Sequence, residues 1–248
     1  MVIIKTEDDI KKIKEACRIW KIAREAIIKE AKVGSTLLEL DALADRVITE
    51  NGGTSAFYQY LGFKGHICIS VNDCVIHGVP TDYVIKENDK VTFDVGVKYM
   101  DHYCDAAFTI IFGNNVEAKN ISDVCLESLN RAIKMIRPGI NTKEISKTIQ
   151  NYVEGQGYYI LRDFCGHGCG NNIHEDPMIF NYRSMFAPSV ILEPNMVICI
   201  EPMILKGSNQ YFIDPLDHWS VKSKNKEITC HWEHMILVTD DGCLVLTE

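Results

Sequence analysis

No stretch of this chain approaches the ~18 consecutive apolar residues that a membrane-spanning helix needs, so no membrane association is expected. The N-terminus, MVIIKTEDDIKK, has too short an apolar run for a signal peptide and turns acidic at once. Positive charge is in short supply: 26 Lys and Arg stand against 34 Asp and Glu, a net charge of −8. That balance argues against a nucleic-acid groove and against DNA as a partner. The basic run KSKNK at 222–226 reads as a solvated loop. A phosphate-binding G-x-G-x-x-G is missing as well, because GHGCG at 166–170 lacks the strand-to-helix setting. Ten cysteines without a leader do not make a disulfide scaffold. Most of them, Cys17, Cys68, Cys125, Cys199 and Cys230 included, lie in apolar runs and read as reduced thiols of a cytoplasmic protein. The CGHGC cluster at 165–169 lacks the second Cys/His pair of a structural zinc site.

What is present suffices for a full core: 248 residues, 46% of them hydrophobic. Thr6 has the chemistry of an N-cap, with Asp9 three residues on and apolar positions at helical spacing to about residue 32. Further helices are expected over 37–50, 122–136 and 142–154, and strands elsewhere. The chain also echoes itself. KVGSTLLEL from Lys32 matches RPGINTKEI from Arg137 at an offset of 105, bringing Glu39 onto Glu144 and Gly52 onto Gly157. IHGVP from Ile76 matches IHEDP from Ile173 at an offset of 97. Each half reads as two helices, a His-containing strand segment and more strands. Two such halves, roughly 7–115 and 120–248, make one α+β domain over 1–248 with pseudo-twofold symmetry.

The most pointed stretch is VTFDVGVKYMDHYCDAAFTI, residues 91–110. Val91, Phe93, Val95 and Val97 alternate with Thr92, Asp94 and Gly96, the period of a half-buried strand. A hairpin symmetric about Tyr99-Met100 sets Asp94 opposite Asp105. Like charges so placed are destabilising. A bulge could send them to different faces, or they could share a proton, or a cation lies between them.

The cation reading requires more donors, and three places supply them. His167 sits among glycines that leave room around its imidazole, Glu201 ends the apolar strand MVICIE, and Glu233 lies inside TCHWEHMILV. Four carboxylates in apolar strand settings would each be costly if buried unpaired.

The set Asp94, Asp105, His167, Glu201 and Glu233 closely resembles the metal ligands of the type I methionine aminopeptidases, with their pita-bread (creatinase/aminopeptidase-like) fold. ICISVND, HGVP, FDV, DAAFT, CGHG, HEDP, IEPM and WEH carry the resemblance across nearly the whole chain. It implies an antiparallel sheet with outer helices and two divalent ions, of Mn, Fe, Co or Zn. Asp94 would chelate one, Asp105 and Glu233 bridge both, and His167 with Glu201 complete the other. It also implies removal of N-terminal methionine from nascent chains with a small second residue. Glu201 would act as base, His174 would bind the scissile carbonyl oxygen, and His77 would lie near the scissile nitrogen. Tyr60, Phe63, Cys68, Phe164 and Trp219 match the methionine pocket, with Met203 a looser candidate. Phe57, Ile173, Cys104 and Asn171 depart from the family pattern. Ribosome association fits a nascent-chain substrate, although no motif marks it, and a monomer is the expected state.

Two other readings share the motifs. A proline-directed peptidase of the same fold can carry all five ligands, but those relatives usually add an N-terminal domain for which 1–7 leaves no room. A metal-free paralogue that binds a protein partner would lose ligands, and this chain keeps all five.

Overall fold

The computed structural model describes all 248 residues. Four helices cover antiparallel sheets: α1 Glu7–Glu30, α2 Leu37–Glu50, α3 Val116–Lys134 and α4 Thr142–Gly155. Thr6 caps α1 as expected, its hydroxyl accepting from the Asp9 N–H while Asp9 reaches back to the Thr6 N–H. The helix stops two residues short of the expected end, at Ala31, whose backbone is extended. α3 begins six residues before the expected start. Asn115, accepting from the Ala118 N–H, caps an exposed first turn that carries little hydrophobic periodicity.

α2 and α4 are displaced from one another by 105 residues at both ends, as the internal echo requires. The matched glycines agree in backbone too. Gly34 and Gly139 have φ of 97° and 88°, and Gly52 and Gly157 have 86° and 82°.

The strand Lys90–Tyr99 pairs with His102–Ile111 along its whole length, and with Cys68–Val71 and Thr54–Ser55 on its other side. Val91, Phe93, Val95 and Val97, with Cys104, Ala106 and Phe108 on the second strand, face α1 and α2. Trp20 seals that contact. Its ring meets Phe108 edge-on at 6.2 Å, and its indole N–H donates to the carbonyl of Ala106.

In the second half, five short strands run in the order Cys243–Val245, His234–Val238, Val197–Ile200, Gly166–Gly168 and Glu175–Ile179. Ile198, Ile200 and Ile236 pack there on Ile121, Leu129, Ile145 and Ile149 of α3 and α4. The halves are joined by backbone hydrogen bonds. Ala107 and Glu233 exchange N–H and carbonyl, and the Tyr103 N–H donates to Gly170.

The run at 222–226 is only partly a solvated loop. Lys222 belongs to the strand Val221–Ser223, and its half-buried ammonium pairs with Asp214 at 2.6 Å. All ten cysteines are free thiols, and Cys165 and Cys169 form no site with a second Cys/His pair. No helix is long and apolar enough to cross a membrane.

Candidate active site

Asp94 and Asp105 do share one face of the hairpin, but they are not opposite each other. The observed register pairs Asp94 with Ala107 and Gly96 with Asp105. The turn is Met100-Asp101, both with positive φ (45° and 60°), the conformation of a two-residue type I′ loop. It lies one residue beyond the centre expected from the sequence, which slides every pair by two. A slip of two preserves the face of each side chain, so the aspartates stand diagonally, with Cys68 beside Asp94 on the third strand.

The other donors come from one short strand and from the ends of two others. His167 is the middle residue of Gly166–Gly168. Its glycines make room for backbone rather than for the imidazole. A Cβ on Gly166 would fall 2.3 Å from the carbonyl oxygen of Cys199, and one on Gly168 would fall 2.2 Å from that of Asp176. The His167 Nδ1 lies 2.9 Å from the carbonyl oxygen of Gly168. Donating its proton there leaves Nε2 as a free acceptor facing the acids. Glu201 follows Val197–Ile200, with its own carbonyl held by the Asn181 amide. Glu233 is pinned through its backbone to Ala107, on the same strand as Asp105.

Donor atoms of Asp94, Asp105 and Glu233 lie within 4.8 Å of one another. His167 Nε2 is 3.5 Å from Glu201 Oε1 and 3.9 Å from Asp105 Oδ2. Burial pushes the Asp94 carboxyl up to about 7 and that of Glu201 up to about 8. Asp105 and Glu233 are raised as well, by burial first and then by the neighbouring acids. Burial holds the His167 imidazole down at about 3, hence neutral. Asp94 Oδ1, Asp105 Oδ1 and Glu233 Oε1 are buried without a hydrogen-bond partner. Four buried acids, three of them with orphaned oxygens, around a neutral imidazole are a poor fit to a metal-free core and a good fit to divalent cations. The donor set, mostly oxygen, suits Mn, Fe or Co at least as well as Zn.

A cavity of about 250 Å³ opens onto this cluster. Asp94, Asp105, His167, Glu201 and Glu233 line it, together with Tyr60, Phe63, Cys68, Phe164, Trp219, His77 and His174. Trp219 meets Phe63 edge-on at 5.2 Å, and His77 sits edge-on to Phe164 at 5.7 Å. His77 has φ of 58°, an uncommon conformation for a residue with a Cβ and one that tends to mark functional sites. His174 stands 3.1 Å from the Tyr60 hydroxyl through Nδ1. The next residue, Glu175, anchors the segment by accepting from the Asn171 and Asn172 N–H groups and pairing with buried Lys5.

Met203 does not reach the cavity. It is fully buried behind it, among Val75, Ile76 and Leu161. Cys104 points to the apolar face of the hairpin, away from its neighbour Asp105. Phe57, Leu61, Ile76 and Cys165 also line the cavity, brought there by loops and strand ends that sequence periodicity does not place. His231 was missed altogether. It lies within donor range of Glu201 and Glu233, and its spacing of two from Glu233 was the available signal.

Fold and site together define a pita-bread metallopeptidase. The sequence profile of metallopeptidase family M24 matches residues 11–240, and the chain belongs to that family. Its relatives include the methionine aminopeptidase of Mycoplasmoides gallisepticum, 40% identical over 100% of both chains. Methionine aminopeptidase 1 of Bacillus subtilis is 36% identical, again over 100% of both. The crystal structure of a Thermotoga maritima methionine aminopeptidase superposes with a TM-score of 0.96 at 37% identity, covering 100% of each chain. A prolidase from Pyrococcus furiosus superposes at 0.80 and 28% identity, over 99% of this chain and 65% of its own. The protein is therefore a metal-dependent peptidase, with a divalent metal cofactor and a peptide substrate.

Proposed function

We propose that this enzyme removes the N-terminal methionine from nascent polypeptides whose second residue is small. The observation that carries the reading is an acid–imidazole cluster at one wall of an apolar, aromatic-lined cavity. End-to-end similarity to methionine aminopeptidases supports it further.

In this reading residues 1–248 work as one catalytic domain built from the half-repeats 7–115 and 120–248. Asp94, Asp105, His167, Glu201 and Glu233 would together hold a pair of divalent cations, their donor atoms already gathered at one wall of the cavity. When bound, a pair of Mn, Fe, Co or Zn ions supplies Lewis acidity and lowers the pKa of water. Glu201 accepts the proton of the attacking water and passes it to the leaving amine. With the Tyr60 hydroxyl donating to Nδ1, His174 keeps its proton on Nε2 and gives that hydrogen bond to the scissile carbonyl oxygen as charge develops. His77, held among aromatic rings, faces the scissile nitrogen. Phe63, Cys68, Phe164 and Trp219 surround the methionine side chain, whose polarizable sulfur packs well on ring edges. Nascent-chain substrates place the enzyme in the cytoplasm, working as a monomer in association with ribosomes.

The test is a panel of tripeptides varied at the first two positions and compared by kcat/KM. Met-Gly and Met-Ala peptides should lead, and norleucine should be cleaved appreciably because a methylene-scale misfit is worth only about 1–3 kcal/mol. If Xaa-Pro peptides without methionine outrun them, the activity is that of a prolidase-like relative.

A further inference from the structure

His231 is a polar side chain at this site that neither the five-ligand assignment nor the substrate contacts given to His77 and His174 use. It is 1% exposed, and neither ring nitrogen has a hydrogen-bond partner. Buried polar groups are nearly always partnered, so a doubly orphaned imidazole requires an explanation. Its position is not loose. It ends the strand Thr229–His231, pairs with Met203 across the ladder, and its carbonyl accepts from the Thr109 hydroxyl at 2.9 Å.

The geometry around Glu201 indicates what the ring is for. His231 Nε2 lies 3.6 Å from Glu201 Oε2, and His167 Nε2 lies 3.5 Å from Glu201 Oε1. Two imidazoles thus flank one carboxylate, one on each oxygen, at nearly equal separations. Both separations are too long for a hydrogen bond. They match the spacing of two donors on one cation: bonds of about 2.0–2.2 Å meeting at 90–120° set donors about 3–3.7 Å apart. Donor atoms of Glu201, His231 and Glu233 all lie within 4.8 Å of one another.

We propose that His231 is a sixth metal ligand, giving this centre a second imidazole alongside His167. The inference rests on the metal-centre reading above and adds a donor that the family resemblance does not supply. A second nitrogen ligand shifts the site toward cobalt, iron or zinc and away from manganese, which favours oxygen donors.

The test counts imidazoles. Protein freed of metal is loaded with two equivalents of Co(II), bound metal is measured, and proton NMR is recorded in the hyperfine-shifted region. Each coordinated imidazole contributes one exchangeable ring N–H signal. Two such signals are expected, one lost in His231→Asn and the other in His167→Asn. The His231→Asn protein should also bind cobalt at least about tenfold more weakly, with a smaller loss for manganese. A single signal from fully loaded wild-type protein, lost only in His167→Asn, overturns the assignment while leaving the metal centre intact. Failure of the wild-type protein to bind cobalt overturns the centre itself. Because the decisive spectrum is of the wild-type protein, a poorly folding variant does not spoil the test.

Discussion

The two halves of the molecule share a helical plan but deliver their site residues by different means. The first half uses one long hairpin, ten residues on each strand, with one face on α1 and α2 and the other carrying Asp94 and Asp105. The second half has no such element. His167 lies within a three-residue strand, while Glu201 and Glu233 flank the ends of strands of four and five residues, all held in place by backbone crossings. A long hairpin is rigid through its own ladder. Short strands hold position only if their neighbours approach closely, which is why glycine flanks His167. Precision in the first half is therefore a matter of side-chain packing, and in the second of backbone contact.

The largest expected effects test whether the halves contribute equally to one centre. Asp105→Ala and Glu233→Ala each remove a proposed bridge, one from each half, and activity should fall to assay background in both, with metal content reduced. A fully active, metal-replete variant of either would break the equivalence. Glu201→Gln keeps the shape and one donor oxygen while removing the proposed base. Turnover should fall on the order of 10²–10⁴-fold, with bound metal measured alongside to separate the two roles. A metal-loaded Glu201→Gln enzyme with near-normal turnover would move the base elsewhere.

Metal affinity should also rise steeply with pH. Without metal, the Asp94 and Glu201 carboxyls lie at about 7 and about 8 because burial disfavours their charge. Both are raised, so the protonated form dominates below that window, and a cation must displace protons there. The neutral His167 ring, at about 3, contributes none of this change. Calorimetry in buffers of different ionisation enthalpy should show more protons released at pH 6 than at pH 9. Equal release at both would contradict the assignment.

The glycines sharpen the contrast between packing and backbone contact. A Cβ on Gly168 meets a carbonyl oxygen, whereas a Cβ on Gly96, which pairs with Asp105, meets the Phe57 ring at 2.5 Å. A ring can rotate away, and a strand backbone has no such freedom. Gly168→Ala should reach or exceed the roughly 1–3 kcal/mol typical of overpacking and weaken metal binding through His167, with Gly96→Ala milder. Denaturant unfolding of the two variants in parallel checks the ranking.

The long hairpin and the helical repeat were legible because period-2 and 3.6-residue patterns are local. The four acidic donors were legible because acids in apolar runs are anomalous wherever the chain takes them, and His167 because glycines flank it. The register was not, since Met100-Asp101 adopts a left-handed turn without glycine to mark it. The start of α3 was hidden for a similar reason: Asn115 caps a solvent-facing turn with no apolar stripe. The role of the glycines around His167 is not local either, because which backbone crosses them is a tertiary fact. His231 could have been found. The ladder breaks at Trp232-Glu233 between two strands, so the two side chains meet through that break rather than along one strand face, yet a histidine two before a buried acid was a donor in plain view.

The smallest effect expected separates likeness of sequence from likeness of role. Glu39 and Glu144 occupy matching places in α2 and α4, each three residues after the cap. In α2 the Glu39 carboxylate accepts from the Thr36 N–H at 2.8 Å while the Thr36 hydroxyl accepts from the Glu39 N–H, a complete capping box. In α4 Asn141 accepts from the Lys143 N–H instead, its amide donates to Ser189, and Glu144 contacts only Lys147, in an exposed pair at 3.6 Å. Thr36→Ala and Asn141→Ala should each destabilise by about 1 kcal/mol, the usual cost of a lost cap. The difference lies in the coupling. Thr36→Ala and Glu39→Ala act on one reciprocal motif, so together they should cost less than the sum of the single changes. Asn141→Ala and Glu144→Ala touch nothing in common and should add. Double-mutant cycles from urea unfolding distinguish the outcomes, and equal coupling in both helices would mean that the repeat preserves the box as well as the helix.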